Sequence, residues 1–144
     1  MKKWKPSLSH ECFGCKFGWA IIRRVMETTK TFPPIGTHQF LDQLALAYHR
    51  VIADRLKASP KEILELAKEN LARWVRVHEG TGTVYALHEW QRLLETKTVP
   101  ELVAIITEDS DEGQRLRQST PFAGVLSDSE RKEIMTYCEK RAFI

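Results

Sequence analysis

The sequence has 144 residues, of which 42% are hydrophobic and 28% charged, and its formal net charge is +3. These values are typical of one globular domain and exclude a disordered or fibrous chain. No apolar run reaches the roughly 20 residues that a membrane-spanning helix needs, and the basic start is not followed by a signal-peptide core. The sequence therefore predicts a cytoplasmic protein with no membrane contact. Its low net charge does not by itself require a nucleic-acid partner.

The chain divides near Pro33, Pro34 and Gly36, because two prolines cannot continue a helix and a glycine permits a sharp turn. We expect residues 1–36 to form an N-terminal Cys/His segment with a first helix. Residues 37–144 are expected to form the core of a helical bundle. The two parts are predicted to make one domain.

Apolar residues at three- and four-residue spacing predict a series of helices. The first is expected over about residues 16–30, and the second ends near Lys57. The stripe of the second helix is formed by Leu41, Ala45, Tyr48, Ile52 and Leu56. His49 lies off this stripe and is expected to point in another direction. A third helix ends at Gly80 and Gly82, where the chain turns back into a fourth helix.

Three pairs of residues predict capping boxes, in which a hydroxyl and a carboxylate bind each other's backbone amides at a helix start. The pairs are Ser59 with Glu62, Thr98 with Glu101, and Ser127 with Glu130. With no strand signal, the predicted fold class is all-α, a compact bundle of about five to seven helices. The four tryptophans, Trp4, Trp19, Trp74 and Trp90, are expected mostly on buried faces.

His10, Cys12 and Cys15 form the motif with the clearest metal-binding spacing. A Cys-x-x-Cys turn lets two thiolates reach one tetrahedral zinc ion, and His10 is close enough to add a third ligand. A fourth ligand would come from Cys138 or from a distant histidine. The cysteine pair could instead be a redox dithiol at a helix start, or ordinary thiols in a turn. The three alternatives stay open, and zinc is the one cofactor that the motif indicates.

Arg73 and His78 lie five residues apart near the predicted end of the third helix. This spacing resembles the Arg-x4-His signature of HEPN ribonucleases, all-α proteins in which the two residues act on RNA phosphate across a dimer interface. A histidine transfers protons near neutral pH, and a guanidinium stabilises charge on phosphate. The resemblance covers six residues and departs from the family at Trp74, where a polar residue is common. It implies catalytic roles for Arg73 and His78.

Residues 115–126, RLRQSTPFAGVL, are the most distinctive stretch of the chain. A helix is expected to end near Ser119, because Pro121 blocks its continuation. Phe122 and Leu126 are expected to dock the following loop on the core. The stretch is therefore predicted to be a well-defined connector.

Together with HRVIADRL at residues 49–56, NLARW at residues 70–74 and the Trp90-x-x-Leu-Leu motif, this stretch resembles small helical bacterial proteins without an assigned function. The resemblance covers about residues 40–136. It implies a bacterial origin and an accessory role in a mobile-element or toxin–antitoxin-like operon, and it assigns no catalytic residue.

The leading hypothesis is a non-enzymatic interaction or regulatory module, whose partner protein docks on an exposed helical face beside Arg115, Arg117 and Phe122. One alternative is the ribonuclease built on Arg73 and His78. Another is a zinc-braced nucleic-acid-binding protein, whose basic N-terminal region contacts phosphates. A homodimer is compatible with wide apolar helix faces, although no heptad run specifies one.

Overall fold

Six α-helices and no strand make up residues 32–142, the part of the chain that the computed structural model describes. The predicted all-α bundle of five to seven helices is confirmed. The helices are α1 His38–Ala58, α2 Pro60–Val77, α3 Thr83–Thr96, α4 Val99–Ile106, α5 Asp111–Gln118 and α6 Asp128–Ala142. The helix predicted over about residues 16–30 lies outside the described residues. None of the six helices combines the length and the apolar character needed to cross a membrane.

Helix α1 is the central element and contacts α2, α4, α5 and α6. It begins after Thr37, whose hydroxyl accepts a hydrogen bond from the N–H of Phe40 at 3.1 Å. Because its neighbours lie on several sides, buried residues are not confined to one stripe. Leu41, expected to be buried, is 55% exposed, and His49, expected to point elsewhere, is only 4% exposed. The predicted orientation of these two side chains was wrong.

Ser59 both ends α1 and precedes α2. Its N–H donates to the carbonyl of Arg55 at 2.8 Å, and its carbonyl accepts from the N–H of Ile63 at 3.3 Å. Its ψ of 64° is far from the extended backbone of an N-cap, and its side chain makes no capping hydrogen bond. The capping box predicted between Ser59 and Glu62 is therefore wrong, although Pro60 does open α2 as expected.

The two other capping boxes are confirmed. The hydroxyl of Thr98 accepts from the N–H of Glu101 at 3.4 Å, and the Glu101 carboxylate accepts from the N–H of Thr98 at 2.8 Å. The same reciprocal pair joins Ser127 and Glu130, with both distances at 3.1 Å. These bonds set the starts of α4 and α6.

Helices α2 and α3 form a hairpin through the turn at residues 78–82. The N–H of Thr81 donates to the carbonyl of His78 at 3.0 Å, and Gly80 has a φ of +82°, which favours glycine. The chain therefore turns back as predicted, and α3 packs on α2.

One core joins all six helices. Phe32, which precedes α1, packs edge-on against Phe40 with ring centroids 6.1 Å apart. Trp90 is fully buried, as predicted, whereas Trp74 is half-buried, and Trp4 and Trp19 lie outside the described residues. The largest fully buried side chains are Trp90, Phe122, Leu46, Leu56, Leu71, Leu102, Ile106, Ile134, Val51 and Val125.

Candidate interaction site

The connector between α5 and α6, residues 119–127, is held by polar side chains from other helices. The buried Asn70 of α2 donates from Nδ2 to the carbonyls of Pro121 at 3.0 Å and Ala123 at 2.9 Å. Its Oδ1 accepts from Arg73 Nη2 at 3.0 Å. A single amide side chain thus pairs two connector carbonyls that lie outside any helix.

His49 of α1 binds the same connector from another side. Its Nδ1 lies 2.7 Å from the carbonyl of Ala45, which can only accept, so Nδ1 carries the proton. Nε2 then accepts from the Thr120 hydroxyl at 2.8 Å. Burial lowers the pKa of His49 to about 4, and the nearby charge of Arg117 acts in the same direction. His49 is therefore neutral near pH 7, with both ring nitrogens occupied.

Two further side chains, Arg55 of α1 and Trp90 of α3, hold the connector and the end of α5. Arg55 donates from Nη1 to the carbonyl of Val125 at 2.8 Å and forms an ion pair with Glu130. Trp90 donates from Nε1 to the carbonyl of Leu116 at 3.0 Å. Its ring also packs edge-on against Phe122, with centroids 5.9 Å apart. Residues of α1, α2 and α3, which are far apart in the sequence, thus meet at the connector.

Arg115, Arg117 and Phe122, predicted as an interaction surface, have different surroundings. Phe122 is 1% exposed and Arg117 4% exposed, so both side chains lie in the interior. Arg117 donates from Nη1 to the carbonyls of Ile106 and Glu108, and burial lowers the pKa of its guanidinium. A partner docking here would reach only Arg115. Phe122 packs on the core as expected, Arg117 is buried as well, and the docking face beside these residues stays a prediction.

Arg115 remains accessible, but its guanidinium is already paired. It binds Glu89 of α3 at 2.6 Å and Glu112 of its own helix at 2.5 Å. These contacts lower the pKa of both carboxyl groups. The ion pairs link α5 to α3 on the surface.

Arg73 and His78, the predicted catalytic pair, make separate local contacts. Arg73 binds Asn70, as described above. His78 directly follows the last residue of α2, and its N–H donates to the carbonyl of Trp74 at 2.9 Å. The carbonyl of His78 accepts from the Thr81 hydroxyl at 2.6 Å. No hydrogen bond joins Arg73 to His78 within the described chain. Their catalytic role stays a prediction.

The predicted metal ligands His10, Cys12 and Cys15 lie outside the described residues. Cys138, considered as a fourth ligand, is fully buried, and burial raises the pKa of its thiol to about 12. Between residues 32 and 142, no group of three or more His, Cys, Asp or Glu side chains is placed to hold a metal ion. The zinc hypothesis stays a prediction about the N-terminal segment.

The most exposed large apolar side chains flank the turn between α2 and α3. Val77, the last residue of α2, is 71% exposed, and Tyr85, in the first turn of α3, is 78% exposed. The other exposed large apolar residues of the described chain, Ile35, Leu41 and Met135, reach 43%, 55% and 39%. We call residues 76–85 the hairpin end. It presents two large apolar side chains to solvent, one on each side of the turn.

The hairpin end carries one residue of each charge. Arg76 and Glu79 give it a formal charge of zero when His78 is neutral. Arg76 makes a single hydrogen bond, a long one of 3.5 Å to the carbonyl of Ala72. Glu79 is exposed and has no ion pair within the described chain. Both charges are therefore available to a partner.

Apolar residues at helical spacing do not include Val77 and Tyr85. Val77 and Tyr85 lie outside the stripes of their own helices, which are formed by Ile63, Ala67 and Leu71 in α2 and by Leu87, Trp90 and Leu94 in α3. Large apolar residues off the stripe of an amphipathic helix are the signal that could have found the hairpin end.

Comparison of the chain with protein-family models, with curated proteins and with solved structures gave no match. The resemblance to small bacterial helical proteins and the resemblance to HEPN ribonucleases stay predictions.

Proposed function

We propose that this protein is a non-enzymatic interaction module and that the hairpin end docks on another protein. The observation that carries the proposal is the exposure of Val77 and Tyr85, at 71% and 78%, on either side of one turn. Large apolar side chains that stay exposed at one end of a fold are candidates for a contact surface.

Burial of these two side chains would supply binding energy. Each square ångström of apolar surface removed from water contributes about 25 cal/mol, and an aromatic side chain buries on the order of 200 Å². Tyrosine also combines a large contact area with few rotatable bonds, and it is enriched among the residues that dominate interface energies. Tyr85 is thus the main anchor of the proposed contact.

The hairpin end is carried by a well-anchored part of the fold. Asn70 fixes α2 to the connector at residues 119–127, and Trp90 fixes α3 to α5. Because these attachments are buried, the two helices lose little further freedom when a partner binds. This supports a contact made by a preformed surface.

A protein is a better partner for this surface than a nucleic acid. Binding to phosphate backbones depends on clustered basic residues. At the hairpin end Arg76 is offset by Glu79, and farther along α3 the exposed Arg92 is followed by Glu95. Mixed charges around an apolar centre are the usual composition of protein interfaces. An accessory role in a mobile-element or toxin–antitoxin-like operon, implied by the bacterial resemblance, belongs to the same proposal.

Photocrosslinking in the native host tests the proposal. A photoreactive phenylalanine analogue at position 85 or 77 should crosslink to a defined protein, and the same analogue at the exposed position 65 of α2 should not. The captured protein is then produced separately, and its affinity is measured by titration calorimetry. We expect Tyr85→Ser to weaken binding about tenfold or more.

Leu41→Ser is the matched control, because it removes an exposed apolar side chain from α1. It should leave the affinity unchanged. Equal affinities for the wild type, Val77→Ser and Tyr85→Ser would show that the hairpin end is not the contact surface.

A further inference from the structure

We infer that the N-terminal segment of this chain covers an exposed apolar face at the start of α1, with the helix predicted over about residues 16–30 packed antiparallel on α1. This surface is separate from the hairpin end, so the inference does not depend on the proposed function. It follows from the apolar stripe of α1 and from the path of the chain just before this helix.

The apolar stripe of α1 is covered unevenly by the rest of the described chain. Ile52 is 4% exposed, whereas Leu41 at the start of the stripe is 55% exposed. Ala45 and Tyr48 between them are half-buried. The guanidinium of Arg131 in α6 lies 5.4 Å from the centroid of the Tyr48 ring, so the contact with α6 reaches this point of the stripe. We call Leu41, Ala45 and Tyr48 the open stripe.

The chain reverses its direction just before α1. The N–H of Thr37 donates to the carbonyl of Pro34 at 3.3 Å, and Gly36 between them has a φ of +88°. On the far side of this turn, Phe32 packs against Phe40, with ring centroids 6.1 Å apart. The described chain therefore begins beside the first turn of α1, where the open stripe also begins.

The apolar residues of the predicted helix match the open stripe in spacing. Trp19, Ile22 and Met26 are separated by three and then four positions, which is the spacing of the open stripe read in reverse. In an antiparallel pair each of the three therefore comes opposite one residue of the open stripe, and Met26 comes opposite Leu41. Residues 31–37 would join the two helices, and connections of about two to eight residues are common between packed antiparallel helices.

The covalent link favours this segment over a separate partner. Burial of large apolar side chains stabilises either contact. A separate protein or a second copy must also lose translational and rotational freedom on binding, whereas a segment already joined to the fold at Phe32 does not lose that freedom. The open stripe is therefore assigned to the chain's own N-terminal segment.

Photocrosslinking of the purified full chain tests the contact. With a photoreactive phenylalanine analogue at position 41, we expect a product of monomer mass whose tryptic digest links this position to residues 25–30, the peptide that contains Met26. The analogue at position 39 is the matched control, because Gln39 is exposed in the same turn but lies about 160° around the helix. It should not give this product.

Unfolding in urea gives a second readout. Leu41→Ser should lower the urea midpoint, although replacement of an exposed residue usually has little effect. Met26→Ser should lower it as well, and the double variant should shift it by less than the sum of the two, because the two side chains share one contact. Val77→Ser is the control, since it removes a side chain that is 71% exposed, and it should leave the midpoint in place.

A crosslink from position 41 to the same peptide in a product of dimer mass would assign the open stripe to a second copy and overturn the inference. Equal yields from positions 41 and 39 would overturn it too. The same holds if Leu41→Ser and Val77→Ser both unfold at the urea midpoint of the wild type.

Discussion

His49 is a base that the fold keeps in its neutral form. Its ring lies between the carbonyl of Ala45 and the hydroxyl of Thr120, and it accepts a bond that a protonated ring could not accept. Burial holds its folded pKa at about 4, below the ordinary value of 6.5. Protonation of this one ring would therefore break the hydrogen bond between His49 and Thr120 of the connector.

The stability of the protein should fall as the pH drops from 6.5 towards 4 because of His49. Above pH 6.5 the ring is neutral in both the folded and the unfolded chain, so its contribution is fully present. Below that value His49 binds a proton in the unfolded chain but stays neutral in the folded chain. The difference between a pKa of 6.5 and one of about 4 corresponds to a loss on the order of 3 kcal/mol.

Urea unfolding of the wild type and of His49→Gln at several pH values measures this loss. The variant should be less stable at pH 7, and its disadvantage should shrink by about 2 to 3 kcal/mol at pH 4.5. His88→Gln, on the exposed face of α3, should run parallel to the wild type. Parallel curves for all three proteins would mean that His49 does not couple folding to pH.

The sequence predicted the burial of single apolar side chains better than the burial of polar ones. Residues 115–126 comprise the end of α5 and most of the connector, and Phe122 docks on the core as expected. The burial of His49 and Arg117 escaped prediction, because hydrogen-bond partners such as Thr120 and the Glu108 carbonyl are near them only in the folded chain. Polar residues in an amphipathic helix are assigned to solvent unless such partners are known.

Helix α5 shows how a short element is specified by its surroundings. It has eight residues, too few for stability in isolation, and it is capped by Ser110, which accepts from the N–H of Gly113 at 3.0 Å. Gly113 also lies against the preceding turn. A Cβ at this position would come within 2.1 Å of the Glu108 carbonyl and 3.0 Å of Arg117 Nη1. This close approach to the Glu108 carbonyl explains why residue 113 is a glycine although it lies inside a helix.

Gly113→Ala should therefore destabilise the protein, although alanine is ordinarily the better helix former. The backbone of α5 must move away from Glu108, which also disturbs the bonds of Arg117, and we expect a loss of about 2 kcal/mol. Gly82→Ala is the matched control, since its φ of −62° suits alanine and nothing lies within 4 Å of the added carbon. It should be nearly neutral in thermal unfolding. Equal losses for the two variants would contradict the steric argument.

Helix boundaries were predictable where a local signal acts alone. The capping boxes of α4 and α6 depend on residues three positions apart, and both formed. At Ser59 the same kind of signal failed, because the residue also has to close α1. A local rule is overridden where two elements share one residue.

For the molecule as a whole, α1 is the element on which the others assemble. It packs against α2, α4, α5 and α6, and its second half contains the fully buried Val51 and Leu56. The number of helices could be predicted from spacing and turns. Which helix occupies the centre could not, since that depends on contacts between residues far apart in the chain.

Hydrogen exchange followed by mass spectrometry should reflect this arrangement. Amides in residues 51–56 of α1 should be the slowest, because they open only when the bundle unfolds. Amides in the last turn of α6, near Ala142, should exchange much faster, since the side chains there are only partly buried. Comparable rates in the two regions would show that α1 is not the centre of stability.

Ser59 belongs to the ends of two helices, so an inserted residue is poorly tolerated there. With one residue serving two helices, a single inserted codon there would rotate α2 by about 100° relative to α1 and carry Asn70 away from Pro121 and Ala123. Insertions and deletions among natural variants should therefore avoid this junction.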